Sequence, residues 1–456
     1  MPRKLGLAVL LLLAVTAHAE TDTHEYKLDN GMKLIVREDH RAPVVISQVW
    51  YKIGANYEHD GITGVSHALE HMMFKGTQAH PSGEFSRIIA ENGGRENAFT
   101  GRDYTAYFQE LEKSRLPVSF ELEADRMRNL LLPPAEFAKE IKVVMEERRL
   151  RTEDDPKSLT YEQFLATAFL NSPNRIPVIG WMDDLENMRV TDAHDWYRLW
   201  YSPNNATLVV VGDVQPDAVY ELAKRYFGPL KAETLPPNKP RKEVPQLGQR
   251  RISVKAPAQL PYLIMGYKTP VLRTVSEPWE AYALEVLAGI LDGGQSARLP
   301  SRLVRGAQVA AEADAGYDLY DRLDSLFLLD GTPTQGHSIA DLEKALRAEV
   351  QQLREAPVSS AELERVKAQV VANAVYQRDS IFYRAMQLGR VETVGLPWDV
   401  VDEYPERIRA VTAAQVQQVA RKYLIDDGLT VAELVPLPID PNHPPRSSAG
   451  GHGDVR

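Results

Sequence analysis

The chain has 456 residues, which at roughly 100–200 residues per domain implies two or three domains. Lys and Arg total 53 against 63 Asp and Glu, a net charge of −10, which argues against the basic surface that non-specific nucleic-acid binding needs. Hydrophobic residues at 44% and charged residues at 25% exclude wholesale disorder, and the absence of cysteine excludes disulfides, thiolate metal sites and cysteine nucleophiles, so any metal must be held by His, Asp or Glu.

In chain order, the first element is a leader. Arg3 and Lys4 precede the apolar run Leu5 to Val15, and Ala17-His18-Ala19 forms a small-x-small cleavage site. Residues 1–19 read as a secretory signal peptide cut before Glu20, with a bacterial periplasm as destination. The alternative, an uncleaved anchor, is disfavoured because the run is short for a bilayer. Asn30-Gly31 is a turn signal before a strand from Met32 to Val36, and Val44 to Tyr51 is a second strand. Helical patterns follow at Ser66–Phe74, Gly83–Asn92, Pro117–Leu131 and Ala135–Arg151, with strands at Thr105–Gln109 and Ala206–Val211.

Residues 231–250 carry Pro236, Pro237, Pro240 and Pro245 and read as a linker. It separates an N-terminal domain (20–230) from a C-terminal one (251–436), and residues 437–456 read as a flexible tail containing His443 and His452. The two domains repeat one another faintly at an offset of about 220 residues. Val190-Thr191 matches Val411-Thr412, His67–His71 lies opposite Tyr282–Val286, and Ala135-Glu136 opposite Ala361-Glu362. The fold class is α+β, with two homologous domains, each a mixed or antiparallel sheet covered by helices.

His67, Glu70 and His71 form an H-x-x-E-H motif in a segment that Ala68, Leu69 and Met72 favour as helix. Residues four apart lie one turn above each other on one helix face, so the two histidines can grip one ion. Glu70 can then reach a metal-bound water without being a ligand, and Gly61 and Gly64 give a flexible approach to the helix. A tetrahedral site needs a third protein ligand. Glu136, Glu140 and Glu147 share a helical face, with Val143 and Val144 near its edge implying partial burial. Two readings of that face stand: a source of the third ligand, or an exposed acidic stripe paired with Lys139, Arg148 and Arg149.

H-x-x-E-H with a downstream Glu147 resembles the inverted-motif zinc peptidases, the pitrilysin and mitochondrial-processing-peptidase family. Leu28-Asp29-Asn30-Gly31, Phe74-Lys75-Gly76-Thr77, Asn97-Ala98-Phe99-Thr100, Tyr201–Asn205 and Val211-Gly212-Asp213 extend the likeness. The resemblance implies one Zn2+ per chain on His67, His71 and Glu147, with Glu70 as general base and Glu140 orienting a ligand. Glu146 is the neighbour most easily confused with Glu147. Asn97, Ala98, Phe99 and Thr100 are implied to pair with an extended substrate at a sheet edge, the alternative being an ordinary strand entry.

The implied function is a zinc-dependent endopeptidase acting on peptides or unfolded segments. The alternatives are a non-catalytic core subunit of the same fold and a zinc hydrolase of non-peptide substrates. The second domain has Tyr282, Val286 and Asn373 where the first has its ligands, so it cannot build the same site. Many relatives add an Arg/Tyr pair from their C-terminal half or a partner subunit. Here those positions fall on Val304 and Ala311, or with a one-residue slip on Arg305 and Glu312. The missing Tyr implies a heterodimer in which a homologous subunit supplies the pair. A homodimer, or a monomer using Tyr317 or Tyr320, is the alternative.

Overall fold

The computed structural model describes residues 22–439 except 238 and 240. The expected leader (1–19) and the tail beyond residue 439, with His443 and His452, lie outside the described residues. The first half runs β1 (Thr23–Lys27), β2 (Lys33–Glu38), β3 (Val44–Tyr51), α1 (Val65–Met72), α2 (Glu84–Glu91), β4 (Arg95–Thr100), β5 (Thr105–Glu112), α3 (Leu116–Asn129) and α4 (Pro134–Arg148). It continues with α5 (Pro156–Ala168), α6 (Met182–Asn187), α7 (Val190–Trp200), β6 (Ala206–Gly212) and α8 (Pro216–Tyr226). The second half contains β7 (Arg250–Pro257), β8 (Tyr262–Thr269), α9 (Pro278–Asp292), β9 (Ala310–Gly316), β10 (Ser325–Pro333) and α10 (Ile339–Glu355). It ends with α11 (Ser360–Gln377), α12 (Ile381–Val394), α13 (Val400–Ala410), α14 (Ala413–Tyr423) and β11 (Leu429–Leu437).

The strands make two mixed sheets, ordered β1-β2-β6-β3-β5-β4 and β7-β11-β8-β10-β9. Apart from β1 the orders are the same. In each sheet the strand that closes the half pairs in parallel with one early strand (β6 with β2, β11 with β7) and antiparallel with the strand that follows it (β3 or β8). The repeat read from three weak matches is thus a repeat of topology.

The central strands are near-continuous apolar runs. Val44–Tyr51 is buried along almost its whole length and Ala206–Gly212 along all of it, the signature of a sheet covered on both faces. On one face of the first sheet, Leu34, Val49 and Leu208 pack with α1, α3 and α7 through Leu69, Phe120 and Tyr197. The other face receives a helix from the opposite half. Ile35, Ile46, Trp50 and Val209 pack against Ala385, Met386 and Leu388 of α12. The exchange is reciprocal, since Phe164, Leu165 and Ala168 of α5 pack on Ile264, Leu326 and Ala432 of the second sheet. The approach is close enough that a Cβ at Gly389 would lie 2.1 Å from the Trp50 ring.

This exchange crosses the division at residues 231–250. The Pro-rich stretch is docked rather than free at Glu243, whose carboxylate accepts the backbone N–H groups of Leu170, Asn171 and Ser172. Leu437, expected at the start of the tail, is the last residue of β11 and pairs with Pro257. Extended backbone there gains a ladder partner that composition could not show. No helix among the described residues is long and apolar enough to cross a membrane.

Candidate metal centre and active site

α1 is positioned at its start by two carboxylates. Glu58 accepts the N–H groups of Gly64 (2.7 Å) and Ser66 (2.8 Å), satisfying donors that a helix N-terminus leaves open. Asp184 accepts from the N–H groups of Gly61 and Thr63 and from the Thr63 hydroxyl. Gly64 is not a flexible approach but a close contact: its φ is +86°, and a Cβ there would sit 2.4 Å from the carbonyl oxygen of Ile179. Gly180, also at φ +86°, faces it. The chain can pass this near the start of α1 only because both residues lack a side chain.

From that anchor His67 and His71 project toward α4. His67 Nε2 lies 3.8 Å and His71 Nε2 3.4 Å from the same oxygen, Oε2 of Glu147. Ligand atoms of the three residues all fall within 4.8 Å of one another, the group among the described residues able to hold a metal ion. Two imidazoles and one carboxylate are a donor set that would suit zinc. Burial, with the like charge of His71 behind it, lowers His67 to about 4, so its imidazole is neutral as a ligand must be. Burial pulls His71 down as well, but Glu147 and Glu140 more than offset it and its pKa is raised. Burial pushes Glu147 up; its hydrogen bond with His71 and the charges of His67 and Arg151 outweigh that and bring it to about 2.

Glu140 stands beside the centre. Its Oε2 is 3.4 Å from His71 Nδ1, a long contact, and its Oε1 is 2.7 Å from Lys75 Nζ. The remaining acids of α4 point elsewhere. Glu136 pairs with Lys139 at 2.7 Å and Glu146 with Arg149 at 3.2 Å. Val144 is buried as expected, but Val143 is 49% exposed, because one step of helix turns it away from the core.

Glu70 faces the same space. Burial raises its pKa, against a hydrogen bond donated by the Thr100 hydroxyl. Thr100 ends β4, which lies at the edge of the first sheet with only β5 beside it. Asn97 to Thr100 therefore have a neighbour on one side, and their free side opens onto the cavity that contains His67, Glu70, His71 and Glu147.

That cavity has a volume of about 800 Å³. Several of its walls were not anticipated from sequence. Phe382 and Met386 come from α12 of the second half, and Tyr161 and Leu165 from α5. No local pattern links residues so far apart in the chain. Arg151 could have been found: it follows Glu147 by one helical turn, within a π-helical turn spanning Arg149–Glu153, and forms an ion pair with Glu147 Oε1 at 2.6 Å. Tyr317 and Tyr320 do not line the cavity; the Tyr317 hydroxyl donates to the carbonyl of Pro270 at 2.7 Å. In the second half, Glu285 occupies the place of Glu70 and, half-buried, accepts from the Tyr404 hydroxyl at 3.0 Å.

Residues 33–180 match the model of Insulinase (Peptidase family M16), and residues 187–370 that of the Peptidase M16 inactive domain. The chain is 32% identical over 448 residues to zinc protease PqqE of Helicobacter pylori, covering 95% of this chain and 98% of that protein. Among solved structures, a protease from Helicobacter pylori superposes with a TM-score of 0.86 at 30% identity, covering 91% of this chain and all (100%) of that one. The periplasmic protease PqqL of Escherichia coli shares the fold, with a TM-score of 0.78 at 20% identity over 92% of this chain and 49% of PqqL. With both domain models matched and a third of its residues identical to a zinc protease along nearly the full length, the chain belongs to peptidase family M16, the pitrilysin family.

Proposed function

We propose that this protein is a zinc-dependent endopeptidase that hydrolyses peptides or unfolded polypeptide segments. The observation that carries the reading is the convergence of His67, His71 and Glu147 within 4.8 Å, in one cavity with Glu70 and a sheet edge. When bound, zinc supplies Lewis acidity, acidifying water and polarising a carbonyl. Glu70 takes the proton of the attacking water and returns it to the leaving amine, a role that a carboxyl with raised pKa suits. Thr100 holds Glu70 in place, and the free edge of Asn97–Thr100 binds the substrate as an added strand. Glu140 orients His71 from its far nitrogen.

The test is metal analysis together with Glu70→Gln. The wild type is expected to hold one zinc per chain and to cleave unfolded peptides. The variant is expected to keep the zinc and lose activity by about 100-fold or more. Wild-type cleavage by the variant overturns the mechanism. A wild type that binds no zinc favours a non-catalytic subunit of the same fold.

We propose further that a homologous subunit completes the site with an Arg/Tyr pair. The reading rests on the lack of a Tyr at either alignment of Val304/Ala311 or Arg305/Glu312, and on Tyr317 and Tyr320 standing outside the cavity. Full peptidase activity of the chain alone would refute it. Export to the periplasm is proposed from the leader sequence; a mature chain beginning at Glu20 is its expected signature in N-terminal sequencing.

A further inference from the structure

The charged side chains of the catalytic cavity are unequally partnered. Glu162 is held from behind by two hydrogen bonds from Arg148, at 2.8 and 2.9 Å. Glu147 is engaged by the histidines and Arg151, and Glu70 by Thr100. Arg175 pairs with Asp60 at 3.0 Å. Arg102 differs: among the described residues no carboxylate lies within 4.0 Å of its guanidinium. Its one side-chain hydrogen bond, from Nη1 to the carbonyl of Asn174 at 2.6 Å, uses a single N–H and neutralises no charge.

Arg102 is nonetheless fixed in place. Its carbonyl accepts the N–H of Asn56 at 2.7 Å, and the Asn56 side chain bridges Asp103 and Asn174. Asp103 is occupied by Arg322 at 2.6 Å, and Asp321, the carboxyl that feels the Arg102 charge, lies 3.5 Å from Arg390. Arg102 also lines a second cavity, of about 540 Å³, between the two halves. It therefore stands where that cavity meets the catalytic one. Only Gly101 separates it from Thr100, so the two Cα atoms are at most about 7.6 Å apart. A held guanidinium with N–H groups to spare, beside a substrate strand, matches a carboxylate in charge and in fork geometry.

We infer that Arg102 binds a carboxylate of the substrate within about three residues of the scissile bond, making the enzyme selective for acidic peptides or for a nearby C-terminus. This rests on the peptidase reading above. The two sources share one chemistry and differ in where the chain ends.

The experiment uses the full-length protein, with any partner subunit it requires, and fluorescein-labelled alanine-rich octapeptides with a central Phe-Leu. These carry Glu or Gln at the second or third residue on either side of the centre, and end in a free or amidated C-terminus. The expected result is that kcat/KM is about 10-fold higher for Glu than for Gln, or for free acid than for amide, as a charged hydrogen bond predicts. In Arg102→Gln the ratio falls to near one, and Arg102→Lys retains part of it. The Glu/Gln arm identifies an acidic side chain, the acid/amide arm a C-terminus.

The same ratios are read as Kd by fluorescence anisotropy on metal-free protein and on Glu70→Gln. The inference can therefore be decided even if no peptide is cleaved, an outcome that would count against the peptidase reading alone. Thermal melts of each variant separate lost binding from lost fold. Ratios near one in the wild type, or ratios unchanged in a folded Arg102→Gln, overturn the inference.

Discussion

Arg151 forms an ion pair with one oxygen of Glu147 at 2.6 Å while the other oxygen of that carboxylate faces His67 and His71. The arginine thus fixes which oxygen is presented to the histidines. Two effects of removing it oppose each other: the carboxylate loses its orientation, and the centre loses a nearby positive charge. The Arg151 side chain is 56% exposed, so water screens its charge, and orientation wins. Arg151→Met is expected to weaken zinc binding by about 10-fold, as lost outer partners of a ligand typically do. Competition against a chromophoric chelator measures it. Tighter binding in the variant would show that charge repulsion dominates.

The glycine pair at the entry to α1 leads to a second prediction. Gly180→Ala places a methyl group 2.3 Å from the Thr63 carbonyl at a backbone angle that L-residues avoid. A loss of about 2 kcal/mol or more is expected in urea unfolding. Zinc content should fall as well, because the contact sets where α1 begins. A stable variant with a full complement of zinc would show that the loop at residues 179–180 moves freely.

Glu285 provides a pH test away from the metal ligands. Burial raises it from 4.5 to about 7, against the hydrogen bond from Tyr404. A carboxyl raised in the folded state binds its proton more tightly there than in the unfolded chain. Its contribution is therefore full below pH 4.5 and is lost as pH rises through 7. Glu285→Gln should gain stability relative to wild type across that window, by a few kcal/mol at the alkaline end. Parallel pH–stability curves for the two proteins would refute the assignment.

The exchanged helices should make unfolding cooperative across the halves. Gly389→Val adds bulk where even a Cβ would lie 2.1 Å from the Trp50 ring, and overpacking of this kind costs about 1–3 kcal/mol. Both halves should lose stability together, giving one calorimetric transition at lower temperature. Two separated transitions would mean that α12 and α5 do not couple the halves.

Local periodicity made much of this legible. The strand Val44–Tyr51 has the same limits in sequence and structure, and α1 and α4 fall within a few residues of their expected spans. A buried strand is an apolar run and a helix repeats every few residues, so both leave a local signature. Glu285 opposite Glu70 was likewise readable as half of a repeat. The choice among Glu136, Glu140 and Glu147 was not, because all three share a stripe of α4 and only the crossing with α1 decides which meets the histidines.

The sequence by itself determined which residue types could bind an ion and which neighbours lie on one helical face, since helix geometry acts over a few residues. Tertiary structure alone decided that β4 is an edge, that Gly64 must meet Gly180, and that Phe382 and Met386 wall the cavity. Those relationships join segments distant along the chain. They arise when apolar faces such as Phe164 and Trp50 are buried across the halves, a packing that no local pattern encodes.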